Sequence, residues 1–446
     1  MTHQSESAKS DLDSAIKKAF WHLMPILFVG YIISFLDRVN VGFAALTMSK
    51  EIGLTATMFG WGAGLFFISY CFFELPSNLI LHRVGARVWI ARIMITWGLI
   101  SASMVFVTGP ISFYIMRFLL GLAEAGFAPG VVLYLTYWIP AEHRSKAIAM
   151  FLVGAPVSSL IGSPVSGYLL TLDGVAGWSG WQWLFIIEGL PAILLGICCL
   201  FALTERPNNA SWLTEREKAA LNGALERESR SNASTHGYSL RDMFTDRRII
   251  VLSFVNFFFL CGLFGVVIWL PQIIKGFGGV SNFQVGLINA IPYTLGAIAM
   301  VAYARHADKT GERIHHLLLA AIVAGGGLIA SVFASSLALS MVAITVATIG
   351  IYAIMGVLYV ISTTFLTGRG AAGGIALIGV VGNLGGFVGP YLIGWTRDYT
   401  GSFAAAMLME AGFLIAAGLL VLALKLPSIN GSAVRADGVL APNVIR

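Results

Sequence analysis

Asp37 and Arg38 stand side by side in the middle of an apolar stretch that runs from Phe20 to Leu46. An Arg or Asp at the centre of a membrane helix costs about 2.5–3.5 kcal/mol to insert, and simulations of an isolated Arg give far more. A chain that is 57% hydrophobic and 11% charged could have avoided both. A pair at that depth therefore points to a task inside the membrane. A guanidinium stays protonated and presents a planar fork of donors that matches a carboxylate, so Arg38 is the candidate binding group for a small anion. Asp37 is the first candidate proton carrier. Burial and a neighbouring cation pull its proton affinity in opposite directions, so its protonation depends on whether the surrounding cavity is open. Consecutive helix residues diverge by about 100° and do not face each other, so the two are poor partners for one another.

Arg117 and Glu124 form a second charged pair, seven residues apart. That is close to two turns, which puts them on one helix face about 10.5 Å apart and out of direct contact. Glu124 lies among Ala123, Ala125, Gly126 and Ala128, small residues that leave room for a neighbouring helix or a cavity. Phe35, Phe66, Phe67, Tyr70, Tyr352 and Tyr359 are the aromatic residues expected to line such a cavity. Glu188 and Arg92 read as scaffold groups, and Glu74, two residues before Pro76, as a cap for backbone freed by the proline.

These residues must be held by long helices. Mean hydropathy is +0.82, and 11% charged residues compares with roughly 25% in a soluble domain. The apolar runs are about 20 residues or longer, which is the length of a membrane helix and not of a β-barrel strand. Twelve spans are expected, roughly 20–46, 58–80, 88–108, 111–138, 147–171, 183–203, 248–274, 283–304, 315–335, 338–366, 371–395 and 403–425. The first run is too long for a signal-peptide core and lacks a small-residue cleavage site, so it is expected to stay as a span.

The expected fold is an all-α membrane protein with twelve transmembrane helices in two pseudo-symmetric six-helix bundles. Its parts are a tail over 1–19, bundles over 20–203 and 248–425, a linker over 204–247, and a tail over 426–446. In the linker, Thr214 and Glu217 have the spacing of a helix capping box. Of the 28 Lys and Arg residues, 22 fall in the tails and in the loops on the same side, which predicts that both termini and the linker are cytoplasmic. The pI near 9.1 is explained by that topology without a nucleic-acid partner. The four cysteines all lie in apolar runs without metal-ligand spacing, so neither a disulfide nor a metal is expected.

The two halves repeat. His82-Arg83-Val84-Gly85-Ala86-Arg87 follows span 2, and Asp308-Lys309-Thr310-Gly311-Glu312-Arg313 follows span 8. Arg144 and Arg369, and Gly167-Tyr168-Leu169 and Pro390-Tyr391-Leu392, are paired at nearly the same offset. Parallel halves of six spans with a site between them at mid-membrane are what an alternating-access transporter needs.

The motifs resemble those of the major facilitator superfamily over the whole chain. The two loops above resemble its D-R-x-G-R-[RK] signature, with His82 replacing the usual Asp in the first copy and Asp308 kept in the second. Within the superfamily the chain resembles the anion:cation symporter family. The residues that carry this are Phe35-Leu36-Asp37-Arg38-Val39-Asn40, Pro76-Ser77-Asn78-Leu79, Arg117, Glu124-Ala125-Gly126-Phe127, Trp183-Leu184-Phe185-Ile186-Ile187-Glu188-Gly189 and Gly382-Asn383-Leu384-Gly385-Gly386. The stretches 34–60 and 180–196 most resemble 4-hydroxyphenylacetate and tartrate-type permeases.

The resemblance implies a substrate carboxylate at Arg38, a proton site at Glu124 with Arg117 as its electrostatic partner, and gating by Arg83, Arg87, Arg144, Asp308 and Arg313. Two departures concern the substrate. Gly379 ends an Ala376-Leu377-Ile378 stretch where relatives carry Asn, and Pro156 stands where sugar-acid members often carry Gln. Both remove groups that read hydroxyls. The expected substrate is therefore an aromatic acid such as hydroxyphenylacetate, with tartrate or a sugar acid next, bound by Arg38 with Phe35, Phe66, Phe67, Tyr70, Tyr359 and Gly379.

No nucleophile–base pair, metal spacing or P-loop is present in the sequence, so an enzyme is not expected, nor a cofactor, nor ATP as the driving force. The leading expectation is a proton-coupled symporter importing a small organic carboxylate across an inner membrane. It would work as a monomer, with lipid, the anion and protons as its partners. Two alternatives stay open: a carboxylate exchanger or uniporter, and a transporter-like sensor of the same acid.

Overall fold

The structure is a computed structural model that describes residues 2–233, 244–365 and 369–424. The first half contains α1 (Thr2–Glu51), α2 (Ala56–Val84), α3 (Ala86–Ser103), α4 (Pro110–Glu124), α5 (Phe127–Thr136), α6 (Ala141–Leu169) and α7 (Gly180–Ala202). The linker carries α8 (Glu215–Ala233). The second half contains α9 (Arg247–Gly276), α10 (Asn282–Thr310), α11 (Ile314–Val332), α12 (Leu337–Phe365), α13 (Arg369–Thr400) and α14 (Ala404–Val421). Among the described residues twelve segments are long and apolar enough to cross a membrane, and no strand is present.

Two spans differ from the pattern read in the sequence. The helix of the first span starts well before residue 20, because α1 is one helix of 50 residues with Pro25 inside it. A bilayer core takes about 20 residues, so the early turns of α1 extend beyond the membrane. The fourth span is not continuous either. It breaks between α4 and α5, where Gly126 has φ +89°, a left-handed conformation that only glycine adopts without cost. A Cβ there would also lie 2.4 Å from Ser77 Oγ of α2. The break falls two residues after Glu124.

The halves meet along two seams, α2 against α13 and α6 against α10, with α1 also touching α9. The contact is closest on the face away from the chain ends. A Cβ added to Gly60 would lie 2.4 Å from Pro390 O, and one added to Gly286 would lie 2.4 Å from Ser163 O. Bare glycine lets the backbones approach, as is usual at membrane helix interfaces. Asp398 of α13 clamps the same face, accepting from the amides of Ala56 (3.1 Å) and Thr57 (2.7 Å) at the start of α2. An anion at a helix N-terminus satisfies amides that have no partner within the helix. Asn289 Nδ2 of α10 donates to Ser163 Oγ of α6 at 2.8 Å in the other seam.

The linker helix docks on the first half. Thr214 and Glu217 form the expected capping box, with Thr214 N donating to Glu217 Oε2 (2.9 Å) and Glu217 N to Thr214 Oγ1 (3.3 Å). Glu217 also accepts from Ser14 Oγ (2.7 Å) and pairs with Lys18 Nζ (2.8 Å) on the extension of α1. Glu228 accepts from Ala141 N at 2.9 Å, which caps α6. Trp212 stacks on His22 (4.4 Å) and Trp138 (5.3 Å).

Candidate functional site

Asp37 and Arg38 leave α1 in different directions, as their offset requires. Asp37 is fully buried and points at α3. Its Oδ2 accepts from Trp97 Nε1 (2.8 Å), and its Oδ1 from Ser101 Oγ (2.7 Å) and Asn40 Nδ2 (3.3 Å). Both oxygens are engaged, so Asp37 is anchored between α1 and α3. The sequence pointed to the carboxylate but not to Trp97 or Ser101. A tryptophan and a serine four residues apart lie on one helix face, and that spacing was the available signal.

Arg38 points at α4. Its Nε donates to Glu124 Oε1 at 2.7 Å, and its Nη2 lies 2.7 Å from the same oxygen. Ser34 Oγ donates to Oε1 as well, at 2.7 Å. Glu124 is fully buried and its Oε2 has no hydrogen-bond partner. The guanidinium lies over the rings of Tyr70 (4.8 Å) and Phe66 (5.4 Å), an arrangement favourable for a cation. The second cation, Arg117, also lies against this ring, 5.2 Å from the Phe66 centroid. Arg117 is fully buried. Its Nη2 donates to Ala63 O at 3.3 Å, and its Nε and Nη1 have no partner. Both buried guanidiniums thus lie against Phe66, and Glu124 neutralises the one on α1.

Around this core the aromatic residues pack on each other. Phe67 contacts Phe66 (5.2 Å) and Phe264 of α9 (4.3 Å), and Phe35 faces Phe264 at 6.1 Å. Phe35, Phe66, Phe67 and Tyr70 are all buried. Phe264 was not among the residues expected from the sequence, where it is one of many phenylalanines in span 7. Tyr31 stacks on Phe151 of α6 at 4.2 Å and is in electrostatic range of Arg38. Tyr359 of α12 and Gly379 of α13 are half-buried. A Cβ on Gly379 would lie 3.9 Å from Glu74 Oε1. Glu74 does not cap backbone around Pro76. Its carboxylate accepts from Asn383 Nδ2 at 3.2 Å and links α2 to α13.

The structure divides the expected gating residues. Asp308 pairs with Arg313 at 3.2 Å. Arg144 pairs with Glu228 of the linker helix at 2.9 Å and donates to Ile139 O at 3.1 Å. Arg83 and Arg87 are exposed, while the amide of Arg87 donates to Glu205 Oε2 at 3.0 Å.

A buried guanidinium ringed by aromatics, whose fork is held by a single carboxylate, can exchange one anion for another. Comparison with known proteins gives the chain's relatives. The Major Facilitator Superfamily profile matches residues 27–390. A putative tartrate transporter of Agrobacterium vitis is 48% identical over 416 residues, covering 93% of this chain and 92% of that protein. The putative metabolite transport protein NicT of Pseudomonas putida is 40% identical, covering 94% and 98%. The inner membrane transport protein RhmT of Escherichia coli is 33% identical, covering 96% and 98%. Among solved structures, a D-xylose–proton symporter superposes with a TM-score of 0.70 at 17% identity, covering 92% of this chain and 99% of that one. A bacterial homologue of the lysosomal transporter Spinster superposes with 0.69 at 17% identity, covering 90% and 94%.

Proposed function

The chain belongs to the Major Facilitator Superfamily, and on that premise we propose that it is a proton-coupled symporter importing a small organic carboxylate by alternating access. The observation that carries this reading is the Arg38–Glu124 pair. With Glu124 ionised, the Nε–Nη2 edge of Arg38 is held by Oε1. A proton on Glu124 cancels the charge that holds it there and frees the fork for a substrate carboxylate, which can form a bidentate charge-assisted pair. Proton and anion then enter the site together. Arg117, which also lies against Phe66, favours negative charge in the same region. Asp37 is the second proton candidate, and its three donors favour a fixed carboxylate that anchors α1 to α3.

The excess of Lys and Arg on the side of the termini supports a cytoplasmic placement of both ends in an inner membrane. The glycine contacts and Asp398 close the opposite face, and on this reading the site exchanges with the cytoplasm when the halves part on the other side. Arg83, Arg87, Arg144, Asp308 and Arg313 lie on that cytoplasmic side and act in its closure.

The names of the two Agrobacterium relatives support a compact hydroxy acid such as tartrate ahead of an aromatic acid. The packing of Phe66 and Phe67 against other rings supports the same order, because those rings are already covered. Uptake of labelled tartrate into proteoliposomes under an inward proton gradient tests the proposal. Accumulation that disappears when the gradient is collapsed is the expected result. Uptake indifferent to the gradient overturns the coupling, and failure to accumulate any of tartrate, galactonate, phthalate or hydroxyphenylacetate overturns the carboxylate reading.

A further inference from the structure

A narrow cleft lies between the halves, beside α1 and on a different side of it from the Glu124 pair. Leu36 and Val39, which flank the Asp37–Arg38 pair in sequence, line it together with Ser159 and Ser163 of α6 and Asn289 and Tyr293 of α10. Four polar atoms here are buried and make no hydrogen bond: Ser159 Oγ, Asn289 Oδ1, Tyr293 OH and, from α12, Tyr352 OH. Their residues are at most 2% exposed. The Ser159 and Tyr352 hydroxyls are close enough to interact, yet not in hydrogen-bonding geometry. Tyr293 and Tyr352 meet edge to face at 6.2 Å.

Buried polar groups in native proteins are almost always paired, so four orphans in one place call for a partner that this conformation lacks. The chemistry of the set says which kind. Ser163 Oγ donates to Ser159 O and therefore accepts from Asn289, which assigns Nδ2 to that bond and leaves Oδ1 facing the cleft. An amide oxygen can only accept, so it rejects a carboxylate and takes a hydroxyl. Three hydroxyls that both donate and accept complete a site for neutral hydroxyl groups. Tyr31 connects this cleft to the anion site, being in electrostatic range of Arg38 on one side and Tyr352 on the other.

We propose that Ser159, Asn289, Tyr293 and Tyr352 form a hydroxyl-reading subsite, so that the carried acid bears hydroxyl groups near its carboxylate. The proposal rests on Arg38 as the carboxylate site. Ser159 belongs to the first half and the other three to the second, so a hydroxylated acid bridges the halves, whereas a bare acid engages Arg38 alone. The cleft is narrow here because the face beside it is shut. It admits substrate when the halves part at that face and closes on the hydroxyls as they come together. The hydroxyl-reading groups whose absence from Pro156 and Gly379 suggested an aromatic substrate are, on this reading, supplied from α6, α10 and α12.

The test measures binding of matched acids, tartrate against succinate and gluconate against hexanoate, to the purified transporter and to three variants. Wild type should prefer the hydroxylated member of at least one pair. Tyr293→Phe/Tyr352→Phe removes two oxygens and keeps both rings, and should cut that preference roughly tenfold or more, because a site built for hydroxyls discriminates through them. The bare acid should bind as before. Asn289→Leu should act in the same direction. Arg38→Lys should weaken both members of a pair together, and if it leaves both unchanged the carboxylate assignment fails instead. The subsite is overturned if wild type prefers no hydroxylated acid, or if the tyrosine variant retains the preference or loses both acids equally.

Discussion

Glu124 Oε1 accepts from two donors, Arg38 Nε and Ser34 Oγ, each at 2.7 Å, with Arg38 Nη2 2.7 Å away as an ion-pair contact, while Oε2 accepts from none. The pair is thus crowded on one oxygen and open on the other, a geometry that a proton on Oε2 or a competing carboxylate can disturb without rebuilding the helix packing.

Arg38→Lys should reduce uptake to background while the protein still folds. Lysine keeps the charge and loses the planar fork. Complete removal of one member of a buried pair costs about 3–5 kcal/mol of stability, so Arg38→Ala would confuse unfolding with lost binding. Near-normal uptake by the lysine variant, at wild-type expression, would remove Arg38 from the role of carboxylate clamp.

Glu124→Gln should separate exchange from accumulation. Glutamine fills the same space and still accepts from Ser34, but it cannot ionise. Substrate counterflow across equal concentrations should persist, and accumulation driven by a proton gradient should vanish. Undiminished accumulation would move the proton to another group, with Asp37 next.

Trp97→Phe should lower thermal stability and leave the pH dependence of transport in place. It deletes one donor to the buried Asp37 carboxylate, and a hydrogen bond to a charged group contributes about 1.5–3 kcal/mol. A thermal-shift assay beside a pH profile of uptake checks this. A displaced profile with unchanged stability would make Asp37 the titrating group.

Gly60→Ala should hold the halves apart on the face away from the termini. Its methyl would meet Pro390 O at 2.4 Å, and overpacking typically costs about 1–3 kcal/mol. The closed conformation should lose population roughly tenfold, since each 1.4 kcal/mol is about a factor of ten. Labelling of a cysteine introduced on that face should speed up accordingly, and an unaltered labelling rate would count against the closure described here.

The linker clasp should be insensitive to pH in the working range. The Lys18 ammonium, followed by the Thr214 and Ser14 donors, holds the Glu217 carboxyl down at about 2, below its ordinary value. A lowered value means that the clasp is fully formed above the ordinary carboxylate range and fades as pH falls through it toward about 2. Hydrogen exchange over 215–233 should be steady between about pH 5 and pH 8 once corrected for the intrinsic pH dependence of the chemistry. Lys18→Ala should raise it at every pH. Protection that collapses near neutrality in the wild type would show that Glu217 is not the clasp.

Much of the architecture was legible because a bilayer admits few solutions. Long apolar runs must be helices, and charged residues within them must face protein. The direction of Arg38 was also legible, from the helical offset that sends it away from Asp37. What the sequence did not show was which distant residues would meet these groups. Phe264 lies in a run of similar residues, and only the tertiary fold, which sets its ring 4.3 Å from that of Phe67, makes the two neighbours. Asn289 and Ser159 lie in separate spans 130 positions apart, and neither periodicity nor spacing ties them together. The break in span 4 was hidden for another reason: Gly126 is one small residue among several, and nothing in its neighbours marks it as the one with a left-handed backbone.

The docking of α8 has a practical corollary for how the polypeptide can be made. Ser14, Lys18, Ala141 and Arg144, the partners of Glu217 and Glu228, all precede residue 204. Each half has a full set of six spans, and the second begins at Arg247. A gene cut between the codons for Ala233 and Thr245 would therefore yield two fragments, the first keeping the whole clasp, and co-expression should reassemble an active carrier from separate chains.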